Sequence, residues 1–165
     1  NHVERELALA RITASAQLRR SDADVAMIVG ELVRILKRSP SGERLRFETD
    51  GPNTATVPMD PADFRELIGN LLENAVKWAT AEIRVRWKRN EDGLRLTISD
   101  DGPGVPEQEL GNLTRRGWRL DMASPGSGLG LSIVREIVDV YRIGFMLRNR
   151  KADSGLEAEL LFAHT

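Results

Sequence analysis

Apolar residues recur along the chain at two periods, and the switches between them set out the elements. Residues 3–19 carry Val3, Leu7, Ala10 and Ala14 at spacings of four and three, predicting a helix whose seam packs against another helix. Residues 21–39 predict a second helix, capped by Ser21 or Asp22 and turning Val25, Ile28, Leu32 and Leu36 inward. The period then drops to two. Residues 44–49 alternate as a strand, "DGPN" breaks it, and a short strand follows around Thr54–Val57. The helical period returns over 59–79, with Asp60 as cap, Pro61 at the first helical position and Asp63 in the first turn. Two strands, 81–89 and 94–100, are joined by "NEDG", a hairpin signal. Residues 107–127 show neither period and predict a long irregular loop, which in a compact domain is usually functional or disordered. A helix at 131–142 and a hairpin of 144–150 with 156–163 around "KADSG" complete the series. Hairpins dominate over strand–helix–strand units. The expected class is therefore α+β: a two-layer α/β sandwich in which helices cover one face of a mixed sheet, with an N-terminal helical segment.

Three polar groupings interrupt this pattern. On the helix over 59–79, Asn70, Asn74 and Lys77 share one narrow arc beside Glu66 and Glu73, with Leu71, Leu72, Ala75, Trp78 and Ala79 opposite. A solvated face would favour Lys, Glu, Gln or Arg over Asn, a mediocre helix former. Two Asn one turn apart therefore need another reason. At "TISDDGPGV" a strand ends at Asp100 and turns through Gly102 and Gly104. Taken alone this is a plain Asp-Gly turn, yet it also fixes a carboxylate at a strand end where a flat ligand can approach the backbone. At "PGSGLGLSI" alternating glycines run into a helix, where free N–H groups and the positive dipole end suit a phosphate. No strand feeds this glycine run and no Lys follows it, which excludes a Rossmann fingerprint and a Walker A loop.

Composition narrows the classes. The 165 residues suit one globular domain with an appended helix, and the net charge of −1 gives no overall basicity for a nucleic-acid partner. Cysteine is absent, which removes disulfides and thiolate metal sites and fits a reducing compartment. The two histidines, His2 and His164, lie near the ends and make a histidine zinc site or a Ser-His-Asp triad improbable. No apolar run could span a bilayer, no signal-peptide pattern is present, and a chain opening without Met is expected to be a piece of a longer protein, with a membrane-bound parent left open.

The order of the three groupings supplies the specificity. An Asn-bearing helix, a D-x-G-x-G turn, a loop and then G-x-G-x-G before a helix resembles the GHKL (Bergerat) ATP-binding fold. Within it the chain is most similar to sensor histidine kinases, and "RGWRLD…PGSGLGLSIVREIVDVY" is similar to PhoQ-like kinases. "NLLENAVKWA", "DDGPGV" and "GSGLGLSIVREIV" resemble the N, G1 and G2 boxes. The resemblance covers roughly residues 22–165. It implies residues 1–20 as the end of a dimerisation and phosphoacceptor helix and 21–165 as the catalytic ATP-binding domain.

This resemblance implies roles. Asn74 would reach Mg²⁺ through an amide oxygen, with Asn70 and Lys77 beside the phosphates. Asp100 would accept a hydrogen bond from the adenine amino group, in a pocket shaped by Gly102 and Gly104. Gly126, Ser127, Gly128, Leu129, Gly130 and Leu131 would form the phosphate-facing hinge and helix start, with Arg116 or Arg119 reaching in from the lid. Asn70 stands where the gyrase and chaperone branch carries a Glu that activates water. An amide cannot act as a general base, so ATP should be held for phosphoryl transfer and hydrolysed slowly.

Departures from the pattern are also visible. Trp78 replaces the usual Tyr or His, "LTRRGW" lacks the F-box Phe, and Ser124 and Ser127 stand where PhoQ-like lids often carry Arg and Gln. No phosphoacceptor box is present, and neither His2 nor His164 is expected to accept phosphate. The implied parent is a homodimeric inner-membrane sensor with this domain in the cytoplasm, relaying phosphate to a response regulator; the sequence leaves open whether this piece pairs or stays monomeric. A GHKL ATPase and a non-catalytic nucleotide-sensing domain are the alternatives.

Overall fold

The structure, a computed structural model, describes residues 2–17, 21–115, 129–151 and 153–164. The chain opens with α1 (His2–Gln17), β1 (Ala23–Asp24), α2 (Val25–Leu36), β2 (Arg46–Asp50), β3 (Thr56–Val57) and α3 (Pro61–Trp78). It continues with β4 (Glu82–Asn90), β5 (Gly93–Asp100), a 3-10 helix (Glu107–Asn112), α4 (Gly130–Tyr141), β6 (Gly144–Asn149) and β7 (Leu156–Ala163). Five strands form one sheet in the order β2-β4-β5-β7-β6, with β2 parallel to β4 and every other pair antiparallel. The sheet is therefore mixed, as the hairpin signals and the α/β sandwich reading require.

The period-two alternation sorts the sheet into two faces. Ile83, Val85 and Trp87 of β4, Leu94, Leu96 and Ile98 of β5, and Leu156, Ala158, Leu160 and Phe162 of β7 are buried beneath α2, α3 and α4. The opposite face is laced with ion pairs, among them Glu48 with Arg84 (3.1 Å) and Arg148 with Glu159 (3.2 Å). Such exposed pairs contribute little each and mainly keep the face wet.

Helix α3 lies at the centre of the helical layer. Asp60 caps it by accepting from the Ala62 and Asp63 amides, Pro61 opens it without a wasted N–H, and Phe64, Leu67, Ile68, Leu71, Leu72, Ala75 and Val76 are buried. At its far end Asp101 accepts from the Thr80 and Ala81 amides (2.9 and 3.0 Å), which ties the exit of α3 to the end of β5. Asp63 is fully buried. Its Oδ2 accepts a 2.5 Å hydrogen bond from the Tyr141 hydroxyl, and its Oδ1 lies 3.3 Å from the Arg11 guanidinium. Arg11 also binds Glu66 at 2.8 Å, so one carboxylate on α3 gathers α1 and α4.

Several expectations need correction. The cap of α2 is Asp24, whose side chain accepts from the Met27 amide, because residues 23–24 are extended and pair with 56–57 in a separate two-stranded sheet. On α1 the seam residues Val3 and Leu7 are exposed within the single chain, where the expected partner helix is not part of residues 1–165, and among its described side chains Ile12 is buried. Spacing alone identifies a stripe but not its partner, and Arg11 turns the Ile12 side of the helix toward the core. Residues 107–112 are helical, so the irregular stretch predicted to begin at 107 is shorter at its start.

Candidate functional site

Helix α3, the end of β5, the start of α4 and the β6–β7 hairpin enclose one cavity. Its walls are Leu71, Asn74 and Ala75 from α3, Ile98 and Asp100 from β5, Leu131 from α4, and Leu147, Leu156 and Ala158 from the hairpin strands. The lining is apolar except for two groups, Asn74 and Asp100. An apolar lining with few polar handles is the chemistry that a flat, mostly apolar ring asks for.

Asp100 ends the inward row of β5 that begins with Leu94, Leu96 and Ile98, so strand alternation itself delivers a carboxylate to the core side. Only 4% of it is exposed. Its Oδ1 accepts from the backbone amides of Gly102 (2.8 Å) and Leu156 (3.3 Å), while Oδ2 accepts nothing from a described residue. Burial raises its pKa above the ordinary aspartate value, and the two amides only partly offset this. Its neighbour Asp101 goes the other way. Burial pushes it up, but the Ala81, Glu82 and Thr80 amides outweigh that and its pKa is lowered.

The D-x-G-x-G segment leaves Asp100 across the ends of β7 and β6. A side chain at Gly102 would strike the Trp78 carbonyl, with its Cβ 2.3 Å away, so the close passage of the loop over α3 depends on that glycine. Gly104 sits at φ +73°.

On α3, Asn74 reaches the cavity wall, half-buried, and its amide has no hydrogen-bond partner among the described residues. Asn70, one turn earlier, donates from Nδ2 to the Glu66 carbonyl (2.7 Å). Its Oδ1 faces the start of α4, 3.3 Å from where a Cβ on Gly130 would stand. Lys77 is not in the cavity wall; it is exposed, with Nζ 5.0 Å from the centre of the Trp78 ring. Leu129 and Gly130 lead into α4, where the Ser132 hydroxyl donates to the Leu129 carbonyl at 2.8 Å. Arg116, Arg119, Gly126, Ser127 and Gly128 lie outside the described residues, as does Ser124.

Asn74, Asp100 and Leu131, far apart in sequence, thus meet in one cavity, with Gly102 bonded to Asp100 and Asn70 facing Gly130. Sequence reasoning missed the hairpin wall of Leu147, Leu156 and Ala158, because an alternating strand does not announce which buried position lines a void.

Among the described residues no group of three or more His, Asp or Glu side chains is arranged to hold a metal ion. A magnesium ion that arrives with phosphate oxygens and takes one protein amide needs no such cage, and the unpartnered Asn74 fits that demand.

Comparison with known proteins agrees with this geometry. Residues 59–161 match the family described as histidine kinase-, DNA gyrase B-, and HSP90-like ATPase, and the chain belongs to that family. Among its relatives are the sensor protein kinase CarS of Pseudomonas aeruginosa, 38% identical over 82% of this chain, and the two-component sensor PhoQ of the same organism, 33% identical over 71%. The chain spans 30% and 26% of those two proteins, less than a third of their length. Among solved structures, the mycobacterial sensor histidine kinase MprB superposes with a TM-score of 0.76 at 26% identity, over 87% of this chain and 96% of that one. The chain is a histidine kinase-like ATPase domain, similar to the corresponding part of two-component sensor kinases, with the two-layer fold that the motifs imply. Among the described residues no helix is long and apolar enough to cross a membrane.

Proposed function

We propose that this domain holds Mg·ATP in the cavity between α3, β5 and α4 and presents the γ-phosphoryl group to a histidine outside residues 1–165. The observation that carries this reading is Asp100. One of its oxygens is saturated by two backbone amides and the other is open in a slot whose lining is apolar apart from Asn74. That oxygen accepts the amino group of adenine, whereas guanine offers a carbonyl at the same place and is repelled. Asn74 holds Mg²⁺, which when bound neutralises phosphate charge and orients the leaving group. Asn70 and Lys77 take the phosphate side, Lys77 swinging off the Trp78 ring to do so. Arg116 or Arg119 is assigned to the phosphates, with the 126–131 segment as their glycine-rich hinge and helix start.

Two features of α3 support transfer over hydrolysis. Asn70 has no basic atom to deprotonate water, and Glu66, the carboxylate one turn earlier, is engaged by Arg11 at 2.8 Å. The γ-phosphoryl therefore leaves the β-phosphate oxygen only when an acceptor histidine nitrogen is brought in line. In the full protein we place residues 1–20 at the end of a dimerisation and phosphoacceptor helix, the domain in the cytoplasm beneath a membrane sensor, two copies per assembly, and a response-regulator aspartate as the next acceptor.

Calorimetric titration of Mg·ATP and Mg·GTP into the wild-type chain and Asp100→Asn, with phosphate release followed in parallel, tests the reading. The expected result is saturable ATP binding, far weaker GTP binding, little phosphate released, and an ATP affinity at least thirtyfold lower in the variant, about 2 kcal/mol. Rapid phosphate release by the wild type would point to an ATPase instead.

A further inference from the structure

We propose that Asn149 is a positioning residue for the nucleotide site, holding the Asp100–Gly104 loop in its binding shape through Val105. The inference rests on the reading of this cavity as an adenine slot. Asp100, Leu156 and Asn149 stand side by side at one end of the sheet. Asn149 pairs with Leu156 across β6 and β7, and the Leu156 amide reaches Asp100. The loop after Asp100 runs across these strand ends without a neighbouring strand, and side chains take that role.

The carboxamide of Asn149 binds both backbone groups of Val105. Its Oδ1 accepts from the Val105 amide at 2.9 Å, and its Nδ2 donates to the Val105 carbonyl at 2.6 Å. Nδ2 also lies 3.2 Å from Glu107 Oε1, at the first turn of the 3-10 helix. The same hairpin end grips the loop at two earlier points: the Arg150 guanidinium donates to the Asp100 carbonyl (3.1 Å), and the Ser154 hydroxyl donates to the Gly102 carbonyl. The loop is thus held at residues 100, 102, 105 and 107 by one hairpin. Of these grips only Asn149 needs a donor and an acceptor on one short side chain.

Its neighbours leave little choice of residue. Oδ1 sits 2.8 Å from where a Cβ on Gly104 would stand, so the amide occupies space that a side chain there would fill. Asp would keep the shape but turn an acceptor on the Val105 carbonyl. Ala would leave both backbone groups unpaired, and Gln would push its amide one carbon further into the loop. Because the Gly102 amide sets Asp100 Oδ1 and the loop through Gly104 continues from it, loosening Val105 blurs the slot at the proposed base end of the nucleotide. The phosphate end, on α3 and α4, is untouched.

The test compares wild type with Asn149→Ala, Asn149→Asp and a control, Asn90→Ala. Asn90 also supports a turn with its side chain, accepting from the Asp92 amide, but at the opposite end of β5. Affinities for Mg·ATP and Mg·GTP are measured well below each melting midpoint, together with hydrogen exchange of the Val105 amide. We expect both Asn149 variants to lose about tenfold or more in ATP affinity, with the ATP-to-GTP preference falling and Val105 exchanging faster, while Asn90→Ala binds within about twofold of wild type. A merely structural role would weaken both nucleotides equally and leave the preference intact. That result, or an Asn149→Asp variant that binds ATP as wild type does, or unchanged Val105 exchange in both variants, overturns the proposal. A wild-type chain that binds no nucleotide overturns the site reading itself, and the inference with it.

Discussion

Asp100 and Asp101 are adjacent and face opposite electrostatic fates. A carboxylate with a raised folded-state pKa contributes stability below its ordinary range, and that contribution is lost as pH rises through the raised value. At neutral pH the buried charge of Asp100 therefore opposes folding. Asp101, with a lowered pKa, contributes stability above the ordinary range, which is lost as pH falls through its folded value. Asp100→Asn keeps an oxygen for the Gly102 and Leu156 amides but removes the buried charge. We expect it to melt higher than wild type near neutral pH, and the difference to vanish below the ordinary aspartate range of about 3.9. Thermal melts across pH check this, and a variant that melts lower at neutral pH would contradict it. The residue proposed to select the ligand is thus one the empty fold would be better without.

At the scale of elements, Asp63 joins three helices that sequence patterns treat separately. Burial and the hydrogen bond to Asp63 raise the Tyr141 pKa, so the hydroxyl keeps its proton at every pH where the fold is studied. Tyr141→Phe leaves an oxygen of a fully buried carboxylate unpaired and should cost about 1–3 kcal/mol in urea denaturation. This junction was illegible beforehand: Asp63 reads as an ordinary first-turn acid, and nothing in "VDVYR" points to it. The elements themselves were legible because they rest on local rules. The cap at Asp60, Pro61 and the "NEDG" turn all act within a few residues. The Asn74 and Asp100 positions were legible through motif order, since only a shared site makes two Asn on a helix and a D-x-G-x-G turn belong together. What pattern could not supply was partnership: the parallel match of β2 to β4, the burial of Ile12 on α1 and the grip of Asn149 on Val105 each depend on residues dozens of positions apart.

For the molecule as a whole, the cavity draws on α3, β5, α4 and both strands of the β6–β7 hairpin, so a nucleotide bound there as proposed would bridge the helical layer and the sheet. Occupancy should then stabilise the entire domain as one cooperative unit. With Mg·ATP at about a hundred times its dissociation constant, linkage gives about 2.7 kcal/mol, or roughly 5–11 °C in melting midpoint for a domain of this size. Differential scanning calorimetry with and without Mg·ATP checks the shift. A midpoint that does not move would mean the cavity is not a nucleotide site.

Strand β7 has a consequence for the order in which the protein is made. It is inserted between β5 and β6, and it brings Leu156 and Ala158 to the cavity wall and the Leu156 amide to Asp100. A growing chain that has emerged only as far as β6 owns all three motif boxes yet lacks one wall of the slot and the inner neighbour of β5. If this cavity is the nucleotide site, a nucleotide cannot template the nascent domain before β7 is made. On the proposed reading, the slot is complete only after residues 156–163 clear the ribosome and pair between β5 and β6.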